Sequence, residues 1–153
     1  GTADSRGFDL ELTVHPVSTL AVTGGLGWQD YRIRKLNQRK DYPEYTDPSK
    51  NVRATGIPRT TFYVYADYTI PNGLLKNLSF HLSGTFQDKI FTDVANRVYN
   101  PALFLVDGGL FYTIKQKVTL ALNVDNLFDK EYFKSTTVYG TPRNFTGTIS
   151  YRF

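Results

Sequence analysis

The sequence predicts an all-β fold: an antiparallel, up-and-down sheet of seven strands that forms part of the wall of a transmembrane β-barrel. Three observations carry this. Apolar and polar residues alternate with period two over seven stretches, and none shows the 3.6-residue period of a helix. The connections alternate between short turns and long loops, as they do on the two rims of an outer-membrane barrel. Aromatic residues make up 15% of the chain, with 11 Tyr and 11 Phe, and they gather near the strand ends, where a headgroup girdle needs them.

The first strand reads Phe8, Leu10, Leu12, Val14 against Asp9, Glu11, Thr13, His15. A tight turn at Pro16-Val17-Ser18 leads to the second, with Leu20, Val22, Leu26 and Trp28 opposite Ala21, Thr23, Gly25, Gly27 and Gln29. Gly24, Gly25 and Gly27 inside that strand mark a bend or close packing. Residues 34–58 break the alternation. Pro43, Pro48 and Pro58 interrupt it and charges crowd it, which predicts a long loop of functional or mobile character.

The third strand carries Phe62, Val64, Ala66, Tyr68 and Ile70 against Thr61, Tyr63, Tyr65, Asp67 and Thr69. After the turn at Pro71-Asn72-Gly73, the fourth has Leu78, Phe80, Leu82 and Phe86 opposite Ser79, His81, Ser83, Thr85, Gln87 and Lys89. A loop around Asn96–Pro101 precedes the fifth. Its apolar face is Phe104, Val106, Leu110, Tyr112 and Ile114, while its other face mixes Leu103, Leu105 and Phe111 with Asp107 and Gly109. The turn Lys115-Gln116-Lys117 leads into two closing strands: Val118, Leu120, Leu122, Val124, then Phe145, Ile149, Tyr151, Phe153.

Composition removes several function classes. Lys+Arg 18 against Asp+Glu 14 is too balanced for nucleic acid without a basic stripe or a motif. The chain has no Cys, which excludes disulfides and thiolate metal sites. No cationic-then-apolar leader opens it, so a signal was removed or the first residue is not the native one. No apolar run approaches the ~20 residues of a spanning helix, but barrel strands hide their hydrophobicity in alternation.

Alternation alone does not say which face meets solvent, and a soluble sandwich or lipocalin-like barrel has the same pattern with its apolar face inward. Three features favour the membrane. Rings cluster near strand ends (Trp28 and Tyr31, Phe86 and Phe91, Tyr112, Tyr132 and Phe133, Tyr151 and Phe153). The polar faces hold Thr, Ser, Asn, Asp and Tyr rather than the Lys/Glu mixture of a soluble surface. Each strand also offers the ~9–11 residues of a tilted span.

The run Asn123-Val-Asp-Asn-Leu-Phe-Asp-Lys-Glu-Tyr132, the loop with Gly140 and Pro142, and the close on Ser150-Tyr-Arg-Phe153 resemble the C-terminal end of TonB-dependent outer-membrane receptors, within them the ferric-siderophore branch. Ser5–Leu12, Pro58-Arg59-Thr60 and Leu105-Val106-Asp107 fit in the same order. The motif residues are Asn123, Asp125, Asn126, Leu127, Phe128, Asp129, Tyr132, Tyr151 and Phe153. Seven antiparallel strands do not close a barrel with an even strand number, and open edges cannot face lipid. Residues 1–153 are therefore expected to be the C-terminal portion of a larger barrel of the 22-stranded, plugged type, with the plug domain outside them.

The resemblance implies a Gram-negative outer-membrane receptor importing a ferric siderophore, with TonB engaged through the missing N-terminal part. It implies no catalysis and no cofactor, with outer-membrane lipid and lipopolysaccharide as surroundings. Candidate extracellular ligand contacts are Tyr31, Arg32, Arg34, Tyr45, Tyr99 and Tyr139; rings there also serve as interfacial anchors. The run Arg32, Arg34, Lys35, Arg39, Lys40 suits lipopolysaccharide phosphates, an anionic chelate, or an ordinary solvated loop.

Other chemistry is thinly supported. His15 and His81 lack partners at metal-ligand spacing and read as solvated side chains. Ser79, His81 and Ser83 share a face, as an outer-membrane hydrolase would need, yet alternation alone produces that. Asn123, Asp125, Asn126 and Asp129 could bind a cation, but they lack the glycine and closing Glu of an EF-hand; hydrogen bonding to neighbouring strands and the loop base suits them better. A small structural or pore-forming barrel completed by oligomerisation is the remaining alternative.

Overall fold

Alternating strands can satisfy their backbone only by pairing side by side, and each stretch identified above does so. The computed structural model describes residues 2–35, 52–135 and 137–153. Its strands are β1 (Thr2–Val17), β2 (Leu20–Lys35), β3 (Val52–Arg53), β4 (Thr60–Thr69), β5 (Leu78–Gln87), β6 (Ile90–Phe91), β7 (Tyr99–Asn100), β8 (Leu103–Ile114), β9 (Val118–Asp125) and β10 (Asn144–Tyr151). No helix occurs among the described residues. The long strands form one antiparallel meander in the order β1-β2-β4-β5-β8-β9-β10. Short β3 pairs beside the outer end of β2, and β6 and β7 form a separate hairpin.

One rim carries the tight connections: Ser18-Thr19, residues 70–77, and 115–117. In the last, Lys115 and Gln116 both have positive φ (49° and 59°) and the Lys117 amide donates to the Ile114 carbonyl at 3.0 Å. That geometry follows the twist of the strands it joins. The opposite rim carries the long connections, 36–59, 88–102 and 126–143.

Two elements differ from the alternation pattern. β1 and β2 run 16 residues each, about 50 Å of extended chain, so their outer ends project past the membrane-spanning part. Within the long loop, Val52-Arg53 returns to pair with Ile33 and Arg32. It is a two-residue addition at the rim and not an eighth span.

Register settles the faces. Leu26 pairs with Leu10 and Phe62, Phe62 with Phe86, and Phe86 with Phe104. Lower down, Leu82 pairs with Ala66 and Gly108, Leu110 with Phe80 and Leu122, and Leu120 with Tyr112 and Ile149. Across these rows the face is apolar and lies open: Leu12 is 64% and Ile149 78% exposed. Ala54 is the one buried apolar residue described, whereas Thr23, Asp30 and Asn126 are buried polar ones. The surface of 10953 Å² also exceeds the roughly 7,900 Å² expected of a compact protein of this mass. A sheet with no second layer among the described residues and its apolar side outward is the lipid-facing wall of a barrel.

Aromatic rings bound that apolar band. Phe8 stacks on Trp28 at 6.0 Å, above Phe62, Phe86 and Phe104. At the other end Tyr68 lies 6.4 Å from Phe80, and Tyr151 meets Phe153 edge-on at 5.0 Å. On β4 and β5 the two girdles are six residues apart (Phe62 to Tyr68, Phe80 to Phe86), about 20 Å of strand. Four rings expected in the girdle stand elsewhere. Tyr31 falls on the opposite face by parity, opposite Ser5. Phe91 packs on Tyr99 within the β6–β7 hairpin, Phe133 stacks on Tyr139 in the 126–143 loop, and the Tyr132 ring covers Gly140. Loops above the band need rings to pack on themselves, having no other core.

Candidate functional site

The face opposite the apolar band lines the lumen, and its polar side chains join across strands. Tyr63 donates a hydrogen bond from Oη to the Glu11 carboxylate, reaching over β2 to β1. It can do so because Gly25 lies beneath it: a Cβ there would collide with the Tyr63 ring. The close packing expected at the β2 glycines is found at this position. Tyr63 stacks on Tyr65 (6.0 Å, 9°), Tyr65 lies 6.2 Å from His81, and His81 Nδ1 is 2.8 Å from Asp67 Oδ1. Thr13–Thr23, Thr69–Ser79 and Thr113–Thr119 hydroxyl pairs complete the wall. Ser79, His81 and Ser83 do share this face, and the imidazole of His81 is held by Asp67.

Charge is sorted by face. Between the two girdles the lumen side of the strands carries Asp9, Glu11, Asp67, Asp107 and Asp125 and, among the described residues, no Lys or Arg. Near the outer rim Ser5, Gly7, Asp9, Gly27, Gln29, Thr61, Pro58 and Arg59 border a hollow of about 290 Å³. Gly7 and Gly27 supply its bare floor, and the Gln29 amide donates to the Pro58 carbonyl at 3.5 Å.

The candidate ligand contacts do not converge. Tyr31 is on the lumen face, and its carbonyl accepts from the Ala54 amide at 3.0 Å. Arg32 lies on the outer face, bound through Nε to Asp30 at 2.8 Å. Arg34 occupies a register shift between β1 and β2, and its Nε contacts Asp4 at 2.7 Å. Tyr99 belongs to the β6–β7 hairpin, where Lys89 Nζ lies over Phe91 and Tyr99 at 5.4 and 5.2 Å. This hairpin is clipped to β3: Arg53 N donates to Asn96 Oδ1 (2.7 Å) and Asn96 Nδ2 to the Arg53 carbonyl (2.9 Å). Tyr139 sits in the loop joining β9 to β10, four ladders along the sheet from β2. Tyr45 lies outside the described residues.

The motif residues have a structural task. Asn126 is 4% exposed, has φ 52°, and uses its whole amide. Nδ2 donates to the Lys130 and Thr141 carbonyls at 2.9 and 3.1 Å, and Oδ1 accepts from the Lys130 amide at 2.8 Å. Its backbone N–H donates to Asp107 Oδ1 at 2.7 Å, and the next amide, Leu127, to the Val106 carbonyl at 2.7 Å. Asp129 (φ 52°) accepts from the Arg143 amide at 2.8 Å. Asn126 and Asp129 thus fasten both ends of the 126–143 loop to the top of β8 and β9. Asn123 lies on the lumen face, where its Oδ1 stands over Gly109, and Leu127 and Phe128 are exposed at the loop base. Tyr151 and Phe153 belong to the inner girdle. Sequence alone did not single out Asp30, Tyr63 with Glu11, or Asn96; the Gly25–Tyr63 pairing was in principle readable once register was known.

Comparison with known proteins agrees with this architecture. The chain is 28% identical over 153 residues to the ferric-pyoverdine BN7/BN8 receptor of Pseudomonas putida, covering 97% of this chain and 17% of that protein. It is 25% identical to the ferrichrome outer membrane transporter/phage receptor of Escherichia coli, covering all of this chain and 20% of that one. The crystal structure of the siderophore receptor PiuA from Acinetobacter baumannii superimposes with a TM-score of 0.79 at 20% identity, over 97% of this chain and 22% of that one. The chain thus spans about a fifth of the length of the relatives it matches. The family model for the TonB dependent receptor-like β-barrel matches residues 1–127, and with its seven-stranded meander, apolar outside and polar lumen this chain belongs to that family.

Proposed function

We propose that the chain forms the C-terminal wall of the barrel of an outer-membrane receptor that imports a ferric siderophore, with energy delivered through TonB and a plug supplied by another part of the same polypeptide. The observation that supports it most is the division of one sheet into two faces, one apolar and bounded by rings, the other built of Tyr, Thr, Ser and carboxylates. The relatives named for ferric-pyoverdine, ferrichrome and siderophore uptake supply the cargo class.

Import of this kind needs binding and a conformational change, so no residue here is assigned a catalytic role. The wall holds the lumen open and rigid through Tyr63–Glu11 and His81–Asp67. An anionic ferric chelate is repelled by the carboxylates along the wall. Its contacts from this segment lie instead at the outer rim, around Tyr31, Gln29 and Arg59.

The test is uptake of ⁵⁵Fe on a panel of siderophores by iron-starved cells producing the full-length protein, with and without TonB. Saturable uptake of one chelate, abolished without TonB, is the expected result. Uptake indifferent to TonB, or binding of no chelate on the panel, overturns the reading.

A further inference from the structure

We infer that the inner mouth of this wall carries an anion site on the cargo's path, built to take a carboxylate-bearing ferric chelate as it leaves the lumen. The inference rests on the receptor reading and deepens it by adding an exit contact to those at the outer rim. On the lumen face at the inner rim, Thr113 of β8, Thr119 of β9 and Ser150 of β10 stand in one row of the ladder. Beside that row, Gln116 and Lys117 in the β8–β9 turn and Arg152 after β10 border a hollow of about 580 Å³, a size that takes a small molecule. The Arg152 amide donates to the Lys117 carbonyl at 2.8 Å, which keeps the two cations on neighbouring strands.

The hollow gathers donors. The Thr113 and Thr119 hydroxyls bond each other at 3.2 Å. The Ser150 hydroxyl, the Gln116 amide, the Lys117 ammonium and the Arg152 guanidinium are exposed, and none has a side-chain hydrogen bond or ion pair to another described residue. Four unengaged donors, two of them cationic, bordering one hollow suit an acceptor-only ligand. An ionised carboxylate is such a group, and the guanidinium takes its two oxygens in a fork.

Charge along the lumen gives the site its direction. Between the girdles the wall is acidic, whereas the described inner-rim segments, 15–19, 70–77, 115–117 and 150–153, hold Lys76, Lys115, Lys117 and Arg152 and no Asp or Glu. On β8 and β9 the first carboxylates, Asp107 and Asp125, stand six residues up the strand from Thr113 and Thr119, about 20 Å away. That is more than two Debye lengths at physiological salt, so they do not cancel the rim cations. An anion repelled along the wall is therefore attracted at its inner end. The hydroxyl row faces the lumen, so a solute inside the barrel reaches the site and the lipid on the other face of the sheet does not.

The test uses the full-length protein in detergent, with ferric citrate as an anionic carboxylate probe. A trifluoromethyl tag on Lys115→Cys, beside the hollow, senses the paramagnetic iron by broadening of its ¹⁹F resonance. The same tag on Val98→Cys, in the exposed outer loop, reports the other mouth, and diamagnetic gallium citrate is the blank. Ferric citrate should broaden the Lys115→Cys signal saturably. Lys117→Gln and Arg152→Gln should each weaken that binding about threefold, and about tenfold together. Lys117→Arg should keep most of it, and a cationic ferric trihydroxamate should not bind. Heat-modifiable migration in gel electrophoresis reports independently that each variant is assembled. In assembled protein, no saturable broadening at the inner tag overturns the site, as does broadening unchanged in the double variant. Loss of thermal stability in the double variant, with no citrate bound by the wild type, assigns the hollow to a carboxylate of the polypeptide itself and also overturns it. Failure at the inner tag with TonB-dependent ⁵⁵Fe uptake intact strikes this inference alone; probe binding with uptake indifferent to TonB strikes the receptor reading and, with it, the exit role.

Discussion

Replacing Asn126 with alanine should release the 126–143 loop from the barrel rim. The side chain makes three hydrogen bonds, two from Nδ2 and one to Oδ1, all at 2.8–3.1 Å in a site 4% exposed. Each contributes about 0.5–1.5 kcal/mol. Alanine must also adopt the left-handed backbone that asparagine tolerates, at about 1 kcal/mol. The expected loss is therefore about 2.5–5.5 kcal/mol. Asn126→Gly separates the two parts, because glycine accepts φ 52° freely while losing the same hydrogen bonds; it should lose about 1 kcal/mol less.

The assay is hydrogen exchange by mass spectrometry on the full-length protein in detergent, following the peptide that contains the Lys130 amide. That amide donates to Asn126 Oδ1, so its protection reports the fastening. Exchange should rise by about two orders of magnitude in the alanine variant, and somewhat less in the glycine variant. Peptides from β4 and β5 serve as controls. Unchanged protection at Lys130 in Asn126→Ala would refute the argument that this residue fastens the loop, and glycine exchanging faster than alanine would refute the backbone part.

Three further outcomes follow from the faces and the cross-strand pairs. Leu82, midway across the apolar band, should cost about 2–4 kcal/mol when replaced by Arg, whereas Leu74→Arg in the inner-rim turn should cost about 0–1 kcal/mol; urea unfolding in lipid vesicles measures both, and equal costs would contradict a lipid-facing sheet. Gly25→Ala drives a methyl into the Tyr63 ring and should destabilise by about 1–3 kcal/mol, with most of it recovered in the Gly25→Ala/Tyr63→Ala pair; additive losses in that double-mutant cycle would show that the two do not meet. Asp30→Asn leaves Arg6 and Arg32 without their shared counter-ion and, because both arginines are partly exposed, should cost about 1–2 kcal/mol, read as a lower thermal midpoint that 1 M salt partly restores.

Much of this architecture was legible in the residues because a lipid-facing strand obeys a strict rule. From Phe8 to Val14, or from Phe62 to Tyr68, every second side chain must be apolar, and that periodicity is visible without coordinates. The rule lapses where the lipid ends. Beyond Phe8 and Trp28 the same face turns to Arg6, Asp4, Asp30 and Arg32, so alternation of hydrophobicity stops although the β1–β2 ladder continues to Thr2 and Lys35. The two-residue strands β3, β6 and β7 are too short for any period. The candidate ligand residues suffered from a related ambiguity: Tyr31 and Arg32 are neighbours in sequence but stand on opposite sides of the wall. Asn126 was placed at the loop base by its company in the motif, while its left-handed backbone and its grip on Thr141, fifteen residues away, are properties of the folded loop.

The wall also argues for what must adjoin it. As a receptor segment in lipid, β1 and β10 each present one edge that pairs with no described strand, and every unpaired backbone group there would cost several kcal/mol. Further strands must therefore flank both edges. The chain uses about 22 residues per spanning strand with its loops, so the twenty-two strands of the plugged transporter type require roughly 480 residues. Relatives of which this chain covers 17–20% are roughly 750–900 residues long. A few hundred residues in those proteins are thus surplus to the wall, enough for a folded domain inside the lumen. The tyrosines and carboxylates of the inner face give such a domain hydrogen-bonding partners. Between the girdles, where Asp9, Glu11, Asp67, Asp107 and Asp125 stand without Lys or Arg among the described residues, the surface that meets this segment should be basic.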